Sequence, residues 1–192
     1  MQPDEHHFEF IGNNPAVDFT NTEIVVRDKL RDLLQRDADL VHWTREAGFG
    51  IRSRFNPGDL VAARELRAAL KVLFQARIDR QSASKKALAV INRHLANHCT
   101  QRELRVSSDG GEFQLVPSGN ALSVPVLLAI LAHEGAVLLA SPQAEHLRRC
   151  SNPDCILTFV DTSRSHRRRW CSMDTCGNRA KVAKHYHSHI SH

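Results

Sequence analysis

The clearest periodicity lies between residues 60 and 78. Leu66, Leu70, Leu73, Phe74 and Ile78 recur at steps of three and four, with Arg64, Arg67, Lys71 and Arg77 between them. That is the pattern of an amphipathic helix with a basic outer face. Asn56-Pro57-Gly58 breaks the chain before it, and Pro57 suits a helix start. Ser84 to His98 repeats the pattern with Leu88, Ile91 and Leu95. The short polar turn Ser82-Ala83-Ser84 then predicts an antiparallel pair. Val124 to Ala140 is nearly all apolar, too long for a strand, and carries Pro125 in its first turn, so a buried central helix is expected there.

The remaining segments are shorter. Phe8 to Ile11 is apolar, Gly12-Asn13-Asn14-Pro15 is a turn, and Ala16 to Thr22 begins a helical element. Asp28 to Leu34 and Asp39 to Ala47 read as short amphipathic helices, the second closed by Gly48. Leu104-Arg105-Val106 and Phe113 to Val116 alternate around Asp109-Gly110-Gly111, which signals a β-hairpin. Gln143 to Arg149 has room for one last helical turn. Beyond it the expected order is a Cys turn, a strand over Ile156 to Val160, a basic turn, a strand around Arg168 to Cys171, and a helix from Asp174 to His187.

The fold class that follows is a mainly α body with a β-hairpin over residues 1–146, joined to a small treble-clef-like ββα unit over 147–192. The chain has 192 residues, enough for an ordinary domain plus an appendage. No window approaches the roughly 18 uncharged apolar residues of a membrane span, because His133 and Glu134 interrupt the best candidate. Met1 to Phe10 carries Asp4, Glu5, His6 and His7 and no apolar core of a signal peptide, so a cytoplasmic protein with no membrane partner is expected.

Charge divides the chain at the same boundary. The whole has 26 Lys and Arg against 21 Asp and Glu, a net of +5. The last 46 residues hold nine of the bases and only three acids, Asp154, Asp161 and Asp174, so the tail carries +6 and the body −1. A basic tail on a neutral body is the footprint of a polyanion partner.

Four of the five cysteines fall in that tail, with the spacing C-x4-C-x15-C-x4-C: Cys150, Cys155, Cys171 and Cys176. Disulfides are disfavoured in a reducing compartment, and two short-spaced pairs supply the four thiolates of a structural zinc. A unit this small buries too little apolar surface to fold well alone, and one structural Zn2+ supplies roughly 10–16 kcal/mol in comparable peptides. Cys99 stands apart beside His98 and reads as a free thiol. His185, His187, His189 and His192 read as a polar helix end, because four thiolates leave no vacancy.

The tail closely resembles the CGNR zinc finger. The residues that carry the resemblance are Arg148 to Cys155, Phe159 to Arg164, Arg167 to Met173, and Cys176-Gly177-Asn178-Arg179-Ala180-Lys181. The body resembles the ABATE domain through Phe10-Ile11-Gly12, Asp18-Phe19-Thr20-Asn21-Thr22, the Leu33-Leu34…Asp39-Leu40…Trp43 spacing and the Arg64 to Ile78 helix. Asn13-Asn14-Pro15 after Gly12 departs from the Gly-rich or basic continuation expected of such a domain. The resemblance implies a bacterial, stress-related transcription regulator with a zinc-held DNA-binding finger, and it carries the ligand roles to the same four cysteines.

Within such a finger, Arg164, Arg167, Arg168 and Arg169 would meet phosphates at the hairpin tip. Asn178, Lys181 and His185 share one helix face, with Lys184 nearby. Asn178 either reads a base or braces the knuckle. Arg179 either contacts DNA or pairs with Asp161 or Asp174. Trp170 is read as packing against the helix, and Gly177 as letting the backbone pass close to the thiolates.

A four-thiolate metal is closed to substrate, and no nucleophile elbow, P-loop or H-E-x-x-H occurs, so an enzyme is not expected. His133-Glu134 reads as a buried polar pair that either hydrogen-bonds within the core or lines a small-molecule pocket. Asp18, Asn21 and Thr22 are either a ligand site for a small-molecule effector or capping and turn chemistry. The alternative function is a protein–protein or RNA interaction module. A homodimer stays open, since one finger grips only a short site.

Overall fold

The computed structural model of the protein describes residues 7–49, 55–96, 102–107, 110–117 and 122–182. Cys99, Lys184, the histidines after residue 182 and the Ser108-Asp109 part of the hairpin turn lie outside these residues.

The chain starts with a buried entry. Phe8 packs into the core, and the Asn14 side chain caps α1 (Pro15–Thr20) by accepting from the N–H groups of Ala16 and Val17. There follow β1 (Glu23–Val26), β2 (Lys29–Asp32), α2 (Asp37–Glu46), α3 (Asp59–Ile78), α4 (Lys85–Ala96), β3 (Arg102–Val106), β4 (Phe113–Pro117) and α5 (Val124–Ala140). The core lies where α1, α3 and α5 meet, with Phe19, Leu66, Leu70, Leu127 and Leu131 fully buried. Gly135 makes this approach close: a Cβ there would lie 2.4 Å from Leu70 Cδ2 and 3.4 Å from the Ala16 Cβ. Any larger residue would push α5 away from α1 and α3.

The mainly helical body and its 102–117 hairpin follow the expected pattern. Residues 28–34 do not. Lys29–Asp32 within them form the second strand of an antiparallel hairpin, with Glu23 opposite Asp32 and Val26 opposite Lys29. The β-branched run Ile24-Val25-Val26 favours a strand, and the turn at Arg27-Asp28 takes positive φ at both residues without a glycine to announce it.

The hairpin is anchored by a second departure from expectation. Arg67, placed by periodicity on the outer face of α3, is buried. Its guanidinium binds both oxygens of Asp32 at 2.6 and 2.7 Å, Thr22 Oγ1 at 3.0 Å and Glu23 at 3.1 Å. A planar five-donor group satisfies two carboxylates at once, which makes a buried cation tolerable. Burial alone would raise the Asp32 pKa, yet the hydrogen bonds from Arg67 and the Leu34 N–H hold it below the usual carboxylate range. His133 and Glu134 also differ from the core pair expected. Both side chains are partly exposed on α5, 3.9 Å apart.

After α5 a 3-10 turn (Pro142–His146) leads into β5 (Leu147–Arg149), which pairs antiparallel with β6 (Thr158–Val160). The second strand of this unit is therefore β5. Residues 168–171 form no strand among the described residues.

β6 has two edges, and the body covers the outer one. The Asn21 side chain donates to the Thr158 carbonyl at 2.9 Å and accepts from its N–H at 3.0 Å. One carboxamide thus imitates the backbone pair a further strand would supply. Two residues on, the Val160 N–H donates to the Gly12 carbonyl at 2.9 Å, and Asn13 Nδ2 donates to the Val160 carbonyl at 2.9 Å. Leu147 and Val160 are buried in the body's own core. Replacing Asn21 by alanine leaves both Thr158 backbone groups without partners, so the variant should lose about 2 kcal/mol of stability by urea denaturation. A loss within error of zero would show that this joint carries no energy.

Candidate metal centre and basic face

Two tight turns present the four sulfurs. The first follows β5. Asn152 closes it by accepting the Cys155 N–H on its carbonyl and the Asp154 N–H on Oδ1, which places Cys150 and Cys155 on the inner side of one knuckle. The second is a single π-turn over Met173–Gly177, continued as α-helix over 178–182. Its cap is Ser172, whose hydroxyl accepts the Asp174 N–H. The two turns are sewn together by the Ser151 N–H donating to the Arg169 carbonyl at 2.8 Å.

All four Sγ atoms lie within 4.8 Å of one another. Cys155 and Cys171 are 3.8 Å apart and Cys171 and Cys176 3.5 Å. A tetrahedron with Zn–S bonds of about 2.3 Å has edges of about 3.8 Å. The surrounding donors match thiolates: Asn152 Nδ2 donates to Cys176 Sγ and the Cys171 N–H donates to Cys150 Sγ, both at 3.4 Å. Cys150, Cys171 and Cys176 are buried, and Cys155 is partly exposed.

The electrostatics call for a cation. With protons alone, hydrogen bonds from Cys155 and Cys171 hold one thiolate on Cys150 and draw its pKa down to about 2. The same bond to Cys150 pushes the Cys155 thiol up to about 12, and the neighbouring sulfurs of Cys150 and Cys155 push Cys171 up as well. Cys155 and Cys171 therefore keep their protons unless a divalent ion balances the sulfurs. The geometry and donor set fit a single structural zinc site held by Cys150, Cys155, Cys171 and Cys176.

Gly177 has a reason different from the one expected. A Cβ there would lie 2.8 Å from Met173 Sδ and 3.3 Å from Trp170 Cδ1, so the glycine admits those two side chains. Trp170 packs on the cysteine cluster, and Arg169 stacks over its ring at 5.0 Å.

The basic residues separate into two sets. Arg168, expected on phosphate, is turned inward. Its guanidinium lies 4.2 Å over the Phe159 ring and donates to the carbonyls of Trp170, Ile11 and Cys171. The aromatic face and the three carbonyls give this guanidinium partners inside the unit. Arg148 donates to the Glu145 and Leu147 carbonyls, and Arg149 lies 3.3 Å from Asp79. Arg164, Arg167, Arg169, Arg179 and Lys181 are exposed. No ion pair joins Arg179 to Asp161 or Asp174 among the described residues. Asn178 is exposed and donates to the Asp174 carbonyl at 3.1 Å.

Asp161, beside this set, is 1% exposed. Burial would raise its pKa, but the hydroxyl and N–H of Ser163 and the N–H of Arg168 hold the carboxyl below its usual range. It braces the basic turn from inside. Neither Asp161 nor Asn152 was singled out as a functional residue beforehand. The turn chemistry of Asn-Pro-Asp was a visible sign for Asn152, while Asp161 carried none.

The three residues offered as an effector site are engaged within the chain. Asn21 holds Thr158, and Thr22 Oγ1 accepts from Arg67 and donates to the Phe19 carbonyl. Asp18 Oδ1 accepts the Gly12 N–H at 2.7 Å. Asn21 thus joins the body to the finger, while the Asp18 and Thr22 contacts stay within the body.

A helical body closed by a four-cysteine structural zinc site defines the class, a zinc-finger protein. Comparison with family models makes this specific. Residues 146–189 match the CGNR zinc finger. Residues 13–142 match ABATE, described as "Putative stress-induced transcription regulator". The second match spans more than half of the chain, so the chain belongs to the ABATE family and carries a CGNR finger. No curated protein matches it. No helix of the described residues is long and apolar enough to cross a membrane.

Two outcomes follow. Purified protein should hold one zinc per chain, and Cys171→Ser should lose it. Because the finger shares the body's core, calorimetry should then show the body melting several degrees lower; an unchanged body transition would mean the two parts are uncoupled. Burial pushes the Asp18 pKa up to about 6 against the bonds from Gly12 and Ile11. The folded protein therefore holds that proton more tightly than the unfolded chain, and stability falls as pH rises from about 4 to 6. Asp18→Asn keeps an acceptor for Gly12 and should be more stable at pH 7 by about 2 kcal/mol, with the gap closing at pH 4. Urea midpoints across that range check it, and a gap independent of pH would contradict it.

Proposed function

We propose that the protein regulates transcription by binding duplex DNA through its zinc finger, without catalysing a reaction. The observation that carries this reading is the unequal exposure of charge in the finger. Five bases, Arg164, Arg167, Arg169, Arg179 and Lys181, face solvent with no ion pair among the described residues, while Arg149, also exposed, is paired with Asp79. Of the three acids, Asp161 is buried and bound, leaving Asp154 and Asp174 outside. Family membership supports regulation, and the unpaired cations supply the partner's sign.

The contacts expected are to phosphate. Arg169 is braced flat on Trp170, and Trp170 packs against Gly177, just ahead of Asn178 and Arg179. This chain of contacts fixes the arginine relative to the helix start. In this reading Arg179, and Asn178 once it releases the Asp174 carbonyl, would meet base edges, as a guanidinium and a bidentate amide do. The closed thiolate sphere leaves the metal no open position and supports a non-catalytic role. An effector acting on the body would reach the finger through Asn21 and Gly12, which hold β6.

Titrating a labelled duplex with zinc-loaded protein tests the reading. Four finger contacts to phosphate, from Arg164, Arg167, Arg169 and Lys181, predict a contribution of about −3.6 to the slope with which log K falls with log salt. Affinity that ignores salt, or no affinity for any duplex, overturns it, and tight binding to RNA or protein alone would establish the interaction-module alternative.

A further inference from the structure

We infer that the β1–β2 hairpin of the body is a second phosphate-contacting arm, set beside the finger so that one duplex meets both. The inference rests on the DNA reading above. The hairpin turn and its second strand read Arg27-Asp28-Lys29-Leu30-Arg31-Asp32, three bases to two acids, and one of the acids, Asp32, is already held by Arg67, on a body whose net charge is −1.

Packing joins this segment to the finger. Ile24 packs against the finger's cysteine cluster. Val26 and Arg179 line the same cavity of about 70 Å³, together with Cys155 and Thr175. Arg27 is therefore one residue beyond a side chain that shares a cavity wall with an exposed finger arginine. Cross-strand partners share a face, and Lys29 is opposite Val26. Lys29 thus extends the hairpin face that meets the finger. Arg27 and Lys29 are both exposed.

The arm is also held rigid. Its base is the Glu23–Asp32 pair, both bound by the buried Arg67. Its tip holds Arg27 at φ 49° and Asp28 at φ 61°, left-handed conformations that cost a non-glycine residue energy. A long cation on a fixed two-residue turn loses little freedom on meeting a phosphate. Such contacts position the duplex and carry no sequence preference.

The test is the salt dependence of duplex binding by the full zinc-loaded chain carrying Arg27→Gln and Lys29→Gln. The slope should shrink by about 2, and affinity should fall by a similar factor on every duplex sequence. Arg27→Gly, which relieves the turn, should shrink it by about 1 with stability kept or raised. Lys85→Gln with Lys86→Gln removes the same charge from α4, which packs on α3 and α5, and should leave the slope unchanged. A hairpin variant that binds with the wild-type slope overturns the arm while leaving the DNA reading intact. Equal losses from the hairpin and α4 variants would reduce the effect to net charge and overturn it too. A wild-type chain that binds no duplex overturns both readings.

Discussion

Four cysteine sulfurs within 4.8 Å of one another impose the constraint on which the lower half of this structure depends. Thiolates at that spacing repel, and without a metal the cluster retains its protons on Cys155 and Cys171. A divalent ion converts that repulsion into binding energy, which a unit of this size needs in place of a large core. The chain's local chemistry serves this end. Asn152 bends one knuckle and donates to a ligand in the other, and Ser172 starts the turn that presents Cys176. Arg168 crosses Phe159 to hold the carbonyls beside Cys171.

The finger so formed is not a bead on a string. Its outer strand edge is completed by the body, through Asn21, Gly12 and Asn13, and its apolar residues Leu147 and Val160 belong to the body's core. An exposed strand edge is a hazard, and covering it with side-chain amides is an economical solution. The same contacts give the body a direct hold on the finger. Any change in the loop before α1 or in α1 itself is felt at β6, the strand between the two cysteine pairs.

Much of this was legible in the sequence, for identifiable reasons. Residues 60–78 and 124–140 carry long periodic or uniformly apolar patterns, which survive any tertiary context. The cysteine spacing states its chemistry directly, because few alternatives place two such pairs in a basic, coreless tail. The failures are equally physical. The 23–32 hairpin has a turn without glycine, so its usual signal is missing. Arg67 looks like a solvated helix residue because nothing local shows that Asp32 and Glu23 will enclose it. Arg168 is indistinguishable by type from Arg167 and Arg169, and only the Phe159 ring and the carbonyls of Ile11, Trp170 and Cys171 sort the inward one from the outward two. Asn21 and Thr22 were noticed as a polar cluster, but the partner at Thr158 is 137 positions away from Asn21.

The central claim is that the metal site holds the finger onto the body through β6. Amide hydrogen exchange at Thr158 and Val160 reads this directly, because their N–H groups donate to Asn21 Oδ1 and the Gly12 carbonyl. In zinc-loaded protein both amides should exchange as slowly as those of α5, and chelation should release them while the centre of α5 stays protected. Protection at Thr158 and Val160 that persists unchanged after the zinc is removed would contradict the account.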